Sequence, residues 1–92
     1  MSVKIFLVEG STGEYSDHID WPVAAYYNEA NAKNRVLQCQ GRANALMAEH
    51  NDNFWKIPDG ANEYDAKMRA DYTGVRYSIV ETLIEDENPP QH

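Results

Sequence analysis

The sequence predicts an α+β domain in which an antiparallel or mixed sheet of three or four strands carries one long helix on one face. Two strand-like runs open the chain, Val3–Val8 and Val23–Tyr27, and a third, Val75–Ile84, closes it. A single long amphipathic helical pattern follows the second run. The order β-β-α-(β)-(α)-β lacks the βαβα alternation that is typical of parallel sheets, so antiparallel or mixed pairing is expected.

The first run, Val3–Val8, is apolar at almost every position. Such a run is typical of a strand that is covered on both faces or lies in the middle of a sheet. The second run begins after Pro22, where a missing backbone N–H is tolerated. The stretch between them, Glu9–Trp21, is longer than a tight hairpin loop. We therefore expect a long loop that is held by its own contacts or by a partner.

Asn28 has the side chain of a helix N-cap, and Glu29 follows it at the positive end of the helix dipole. From Glu29 to about His50, apolar residues recur at steps of three and four, which predicts an amphipathic helix lying on the sheet. Gly41 is the weak point of this helix, because glycine costs about 1 kcal/mol relative to alanine there. A kink, if the helix has one, is expected at Gly41.

Short elements are predicted between the helix and the last strand. Phe54–Ile57 is expected to form an edge strand before the turn signal Pro58-Asp59-Gly60. Asn62 caps a predicted short helix over residues 63–69, in which Glu63 pairs with Lys67 and Asp65 with Arg69. A turn over residues 71–74 leads into the last strand. The charged, proline-containing residues 85–92 are expected to form a frayed tail.

Composition indicates one small domain with an acidic surface. The chain has 92 residues, with 15 acidic and 8 basic side chains and a net charge of −7. This balance disfavours binding to free nucleic acid or to an anionic membrane, and it suits docking onto a basic surface. Solubility alone is the simpler explanation of the same charge. One cysteine, Cys39, excludes an internal disulfide and fits a reducing cytoplasm, and no leader or membrane-spanning run is apparent.

Catalytic interpretations find little support in the residues. Glu14, Asp17, His18 and Asp20 offer carboxylates and an imidazole to a metal, but their spacing matches no EF-hand or helical zinc signature. Ser16-Asp17-His18 cannot form a hydrolase triad, because adjacent residues cannot reach that geometry. Cys39 lies on the apolar stripe of the helix and is expected to be inert. We therefore predict no catalytic residue, no metal and no cofactor.

A docking patch is the strongest functional signal in the residues. Acidic side chains cluster beside aromatic ones on two irregular stretches that an antiparallel sheet can bring to one end, and tyrosine and tryptophan are common anchors of interfaces. An ordinary charged loop surface is the alternative. The predicted partner-binding residues are Glu14, Tyr15, Asp17, Asp20, Trp21, Glu63, Asp65, Asp71 and Tyr72.

Through Gly13–His18 (GEYSDH), Trp21 and the later run EYDAKMRADYTG, the chain resembles phage anti-CRISPR proteins that inhibit type I-F surveillance complexes. The likeness covers nearly the whole chain and rests on size, acidity and layout, since these inhibitors share no diagnostic motif. It implies a non-enzymatic protein of the host cytoplasm that binds subunits of the RNA-guided complex, as a monomer, and blocks hybridisation of target DNA.

The resemblance also suggests how the residues would act. Carboxylates would occupy the basic channel that normally holds DNA. Lys33, Arg35 and Arg42 on the helix would contact the backbone of the guide RNA. Two other functions stay open at this point: a metal-dependent hydrolase or nuclease built on the acidic residues around His18, and a phage accessory structural module.

Overall fold

The computed structural model describes residues 2–70 and 73–85 and has the predicted α+β class. Three strands form one antiparallel sheet in the order β2-β1-β3, and the helix packs on one face of it. The elements are β1 (Ser2–Thr12), β2 (Ile19–Tyr26), α1 (Glu29–Glu49), the 3-10 helix η1 (Phe54–Lys56) and β3 (Arg76–Glu85). The predicted tail beyond Glu85 and two predicted docking residues, Asp71 and Tyr72, lie outside the described residues.

The central strand β1 has an inner face under the helix and an outer face that the helix does not cover. Phe6, Val8 and Thr12 are buried on the inner face, whereas Val3 on the outer face remains 40% exposed. The apolar run of β1 therefore reflects its central position in the sheet and not cover on both faces. The register shifts between Val8 and Glu9 on the β2 side, while the pairing with β3 is regular.

Helix α1 begins and ends close to the predicted positions. The Asn28 side chain accepts a hydrogen bond from the Asn31 backbone N–H at 3.2 Å, so Asn28 is the N-cap. Helical structure continues through Gly41 as one element. The buried stripe of the helix, together with residues from the sheet and from the segment after the helix, forms the main core. Its members are Trp21, Cys39, Ala43, Leu46, Ile57, Met68, Val75 and Tyr77.

Two short elements differ from the prediction. The expected edge strand Phe54–Ile57 is instead the 3-10 helix η1. The expected helix over residues 63–69 is a series of turns with an isolated bridge between Asn62 and Asp65. The physical reason is that Asp65 turns inward to accept hydrogen bonds from the core, which the exposed face of a helix would not permit. In place of the expected pair with Lys67, Glu63 approaches Arg42 at 3.7 Å.

The first hairpin is also tighter than predicted. Strand β1 continues to Thr12 and β2 begins at Ile19, so the connecting loop spans residues 13–18 and not Glu9–Trp21. The sequence did not indicate this extension of both strands, because residues 9–12 and 19–22 are largely polar or break the apolar pattern. Thr12 and Trp21 are nevertheless buried, and Trp21 pairs across the sheet with Gly10. The prediction of a long loop was therefore wrong, and we call residues 13–18 the hairpin loop.

Candidate functional site

The hairpin loop is tied to the start of β3 through Gly13. Its backbone N–H donates a hydrogen bond to the Thr73 hydroxyl at 2.9 Å. Its carbonyl accepts one from the Arg76 guanidinium at 2.7 Å and lies 3.1 Å from His18 Nδ1. Beside it, the Thr12 hydroxyl donates to the Gly74 carbonyl at 2.6 Å. These contacts join two parts of the chain that are sixty residues apart and hold the loop in one place.

Only glycine fits at position 13. Its φ of +86° lies in the left-handed region, which residues with a Cβ rarely adopt. A Cβ there would come within 2.5 Å of the Asp17 carbonyl oxygen. The loop thus turns back closely on itself, and its shape depends on the absence of a side chain at Gly13.

Four of the predicted docking residues are exposed at this end of the sheet. Tyr15 is 81% exposed, and Glu14, Asp17 and Asp20 are exposed as well. The Asp17 carboxylate accepts a hydrogen bond from the Tyr15 backbone N–H at 3.3 Å, which shapes the tip of the loop. The result is an acidic surface with one aromatic ring at its tip.

Two predicted docking residues are instead part of the core. Trp21 is 8% exposed and Asp65 is 2% exposed, so neither is accessible to a partner. The Trp21 indole N–H and the Tyr77 hydroxyl each donate to the same Asp65 carboxylate oxygen at 2.8 Å. The expectation that Trp21 and Asp65 lie on the surface was wrong. Both can be buried because the indole N–H of Trp21 and the carboxylate of Asp65 satisfy each other's hydrogen bonding.

The second predicted acidic stretch reaches the hairpin only in part. Thr73 and Gly74 contact the hairpin loop, and they follow directly after Asp71 and Tyr72, which lie outside the described residues. Glu63 is exposed, but it belongs to a different neighbourhood beside helix α1, where it faces Arg42. The docking surface supported by the described residues is therefore the hairpin loop with Asp20.

The three basic residues predicted to contact guide RNA do not form a single surface. Arg35 donates to the Tyr64 carbonyl at 2.9 Å and to the Tyr26 hydroxyl at 3.2 Å. Arg42 lies 3.2 Å from a Glu49 carboxylate oxygen. Lys33 is exposed and only loosely paired with Glu29, at 3.8 Å, and a helix places it on the side opposite Arg42. Of the three, Lys33 has the most exposed charge.

No three metal-ligating side chains (His, Cys, Asp or Glu) come together in the described part of the chain. His18 Nε2 lies 3.6 Å from an Asp20 carboxylate oxygen, while the other ring nitrogen faces Gly13. The Cys39 thiol is buried in the core and lies 3.4 Å from the Tyr64 carbonyl. Burial raises the pKa of this thiol, which keeps it in the less nucleophilic protonated form.

Sequence reasoning missed two features of this region. Arg76 and Thr73 anchor the hairpin loop, and no local pattern marks them, because their partners lie far away in the sequence. The aliphatic outer face of the sheet was also missed, although the largely apolar run Val3–Val8 of β1 carries part of that signal. No known protein family, curated protein or solved structure matches this chain. No helix among the described residues is long and apolar enough to cross a membrane.

Proposed function

We propose that this protein is a phage-encoded, non-enzymatic inhibitor that docks its acidic hairpin loop into the basic nucleic-acid channel of a type I-F CRISPR surveillance complex. By occupying that channel in the host cytoplasm, it blocks hybridisation of target DNA. The observation that carries the proposal is the anchored loop, which presents Glu14, Tyr15 and Asp17 to solvent while Gly13 is held at both its N–H and its carbonyl. The resemblance to anti-CRISPR proteins supplies the identity of the target.

Anchoring of the loop favours binding, because a mobile loop would have to become ordered in the complex. A loop that is already held in its bound shape loses less conformational entropy on association. Rigid, exposed carboxylates can accept hydrogen bonds from arginine and lysine side chains, which a DNA channel offers for phosphate. Tyr15, at the tip, adds an aromatic ring of the kind that often anchors interfaces. The fixed shape of the loop, its exposed carboxylates and the Tyr15 ring therefore all favour the hairpin loop as the contact surface.

The overall charge supports the same kind of partner. A chain of net charge −7 is attracted to a basic surface from a distance, and this attraction speeds encounter and weakens as salt screens it. Lys33 is the exposed cation on the helix that remains available to guide RNA in such a complex. We expect one copy of the chain at each docking site.

The experiment is a comparison of two charge-reversal variants of equal net charge. Glu14→Lys combined with Asp17→Lys alters the loop, while Asp59→Lys combined with Glu85→Lys alters exposed positions away from it. Each variant is titrated against purified surveillance complex, and binding of target DNA is measured. We expect the loop variant to lose affinity by at least about tenfold, because the two introduced lysines then repel the basic channel.

The control variant should inhibit within about threefold of the unmodified protein, because its net charge is equal but its loop is intact. Full inhibition by the loop variant would contradict the assignment of the docking surface. Normal binding of target DNA in the presence of excess unmodified protein would contradict the proposed function itself.

A further inference from the structure

The outer face of the sheet carries an aliphatic patch that the fold leaves uncovered. Val3, Val80 and Ile84 are 40%, 41% and 51% exposed. The outer face of an antiparallel sheet is commonly polar, because water covers it. Here one half of the face is mainly aliphatic instead, with Thr82 as a polar residue within it. We call this the outer patch, and it consists of Val3, Ile5, Leu7, Ala25, Val80 and Ile84.

A depression lies at one side of the outer patch, where β2 ends. It has a volume of about 170 Å³ and is lined by Ile5, Ala25, Tyr26, Tyr27 and Ile84. A water molecule occupies only about 30 Å³ in the liquid, so the depression has room for an aliphatic side chain. Val80 projects from the opposite side of the same patch, next to Leu7. The patch therefore has both a protruding side chain and a recess.

The chemistry of the patch restricts what can cover it. Its members carry no charge, so an apolar surface complements it better than the basic channel that suits the hairpin loop. Residues 86–92 contain two prolines and no large apolar side chain that would complement the patch. A second copy of this chain complements the patch, because it presents the same uncharged surface.

We propose that two copies of this chain associate face to face through their outer patches, related by a two-fold axis that runs along β1. In the sheet, Leu7 has Ala25 on one side and Val80 on the other. Rotation about an axis along β1 exchanges these two sides, so Val80 of one copy lies over the partner's Ala25 and the adjacent depression. The symmetry makes this contact twice. Two sheets packed in this way are about 10 Å apart.

The charged half of the outer face fits the same rotation. Ser11 has Asp20 on one side and Arg76 on the other, and both side chains are exposed. The axis along β1 places Asp20 over the partner's Arg76, and this pairing of opposite charges also occurs twice. Glu9 lies on β1 itself, between these residues and the patch, so it approaches the partner's Glu9 across the axis. Among the described residues of the outer face, this like-charge pair is unfavourable.

The size of the face makes the association weak. Nine residues of β1 and three strands give a projected area of roughly 400 Å², against about 800 Å² per partner in interfaces of standard size. Each copy also carries a net charge of −7, so the two copies repel each other at low salt. The dimer should therefore form at high protein concentration and become tighter as salt is added, which is opposite to the salt dependence expected for docking by the hairpin loop.

The test is sedimentation equilibrium of the free protein over a range of concentrations up to about 1 mM, at low and at high salt. The expected mass rises from 10.5 kDa toward twice that value. Val80→Lys should weaken association by at least about tenfold, because it buries a charge in the depression. Leu37→Lys is the matched control, since Leu37 is 71% exposed on the helix and away from the patch. Glu9→Gln should tighten the dimer several-fold by removing the like-charge pair.

A mass that stays at 10.5 kDa under all conditions overturns the proposal, as does a Val80→Lys variant that dimerises like the unmodified protein. Circular dichroism checks that each variant is folded, and Ile84→Lys replaces Val80→Lys if the latter is not. The proposal does not depend on the proposed function, because it concerns the free protein. Glu14 and Asp17 stay outside the dimer interface, whereas Asp20 belongs to both surfaces. A third outcome also overturns the dimer. If the unmodified protein is monomeric and the folded Val80→Lys variant no longer binds the surveillance complex, the outer patch contacts that complex and not a second copy.

Discussion

Replacing Asp65 by alanine should strongly destabilise this protein. Asp65 is 2% exposed and joins three parts of the chain. One carboxylate oxygen accepts from the Trp21 indole and the Tyr77 hydroxyl, both at 2.8 Å. The other accepts from the Lys67 backbone N–H at 3.1 Å. Asp65→Ala leaves all three donors without this partner and opens a cavity in the core.

The magnitude follows from the buried donors. A buried donor left without its partner costs about 1–3 kcal/mol, and Trp21 and Tyr77 are both buried. We therefore expect Asp65→Ala to lower the free energy of unfolding by about 3–5 kcal/mol. A domain of this length has a total of roughly 5–14 kcal/mol, so a loss of this size is a substantial fraction of the total. Asp65→Asn keeps one acceptor oxygen and should cost less.

The assay is urea denaturation followed by tryptophan fluorescence, which reports on the environment of Trp21. The exposed variant Asp59→Ala is the control and should change stability by less than about 0.5 kcal/mol. A double-mutant cycle of Asp65→Ala with Tyr77→Phe should show coupling of about 1 kcal/mol or more, since the two side chains share a hydrogen bond. A loss below about 1 kcal/mol for Asp65→Ala, at an unchanged denaturant slope, would contradict a large contribution of these buried hydrogen bonds to stability.

Three further predictions concern single positions. Gly41→Ala should stabilise the protein by about 1 kcal/mol in thermal or urea unfolding, because a Cβ at Gly41 meets nothing within 4 Å and the residue lies inside helix α1. Gly13→Ala should destabilise it by about 1–3 kcal/mol, because of its positive φ and the closeness of the Asp17 carbonyl, and equal stability would contradict the loop geometry. Burial and the hydrogen bond to Asp65 raise the pKa of Tyr77, so the neutral hydroxyl is favoured in the folded state. This stabilisation is fully present below the unfolded tyrosine pKa of about 10 and is lost progressively as the pH rises above it. Between about pH 9 and pH 11, the free energy of unfolding of Tyr77→Phe should therefore fall less than that of the unmodified protein.

Regular elements with a clear period could be read from the sequence. Helix α1 with its Asn28 cap and strand β3 were predicted to within about one residue, whereas β1 and β2 each extend four residues further into the hairpin than predicted. Each of them has a local signal, either apolar runs or apolar residues at helical spacing. The fold class follows from their order alone.

The segment after the helix could not be predicted, because its conformation is set by distant residues. A helical pattern is present over residues 63–69, but Asp65 makes better contacts in the core with Trp21 and Tyr77. Burial of a charged residue together with a tryptophan has no local signature. The nearest signal was the placement of Trp21 opposite Gly10, where a Cβ would come within 2.7 Å of the indole ring. A large ring across from a glycine indicates a side chain that packs down onto the sheet.

The candidate site was predicted in part for the same reason. Exposed acidic residues of the hairpin loop, such as Glu14 and Asp17, could be found from composition and turn residues. The contacts that fix the loop could not, since Thr73 and Arg76 reach Gly13 from the far end of the chain. Charge patterns reveal which residues face water, whereas rigidity depends on long-range hydrogen bonds.

Competition with target DNA at different salt concentrations tests the proposal that the anchored acidic loop blocks a nucleic-acid channel. Purified surveillance complex is incubated with the protein at increasing salt, and binding of target DNA is followed for the unmodified chain and for Glu14→Lys with Asp17→Lys. We expect the unmodified chain to abolish DNA binding at low salt and to lose affinity as salt rises, and we expect the loop variant to inhibit at least about tenfold less well. Undiminished DNA binding in the presence of a large excess of the unmodified chain would contradict the proposal.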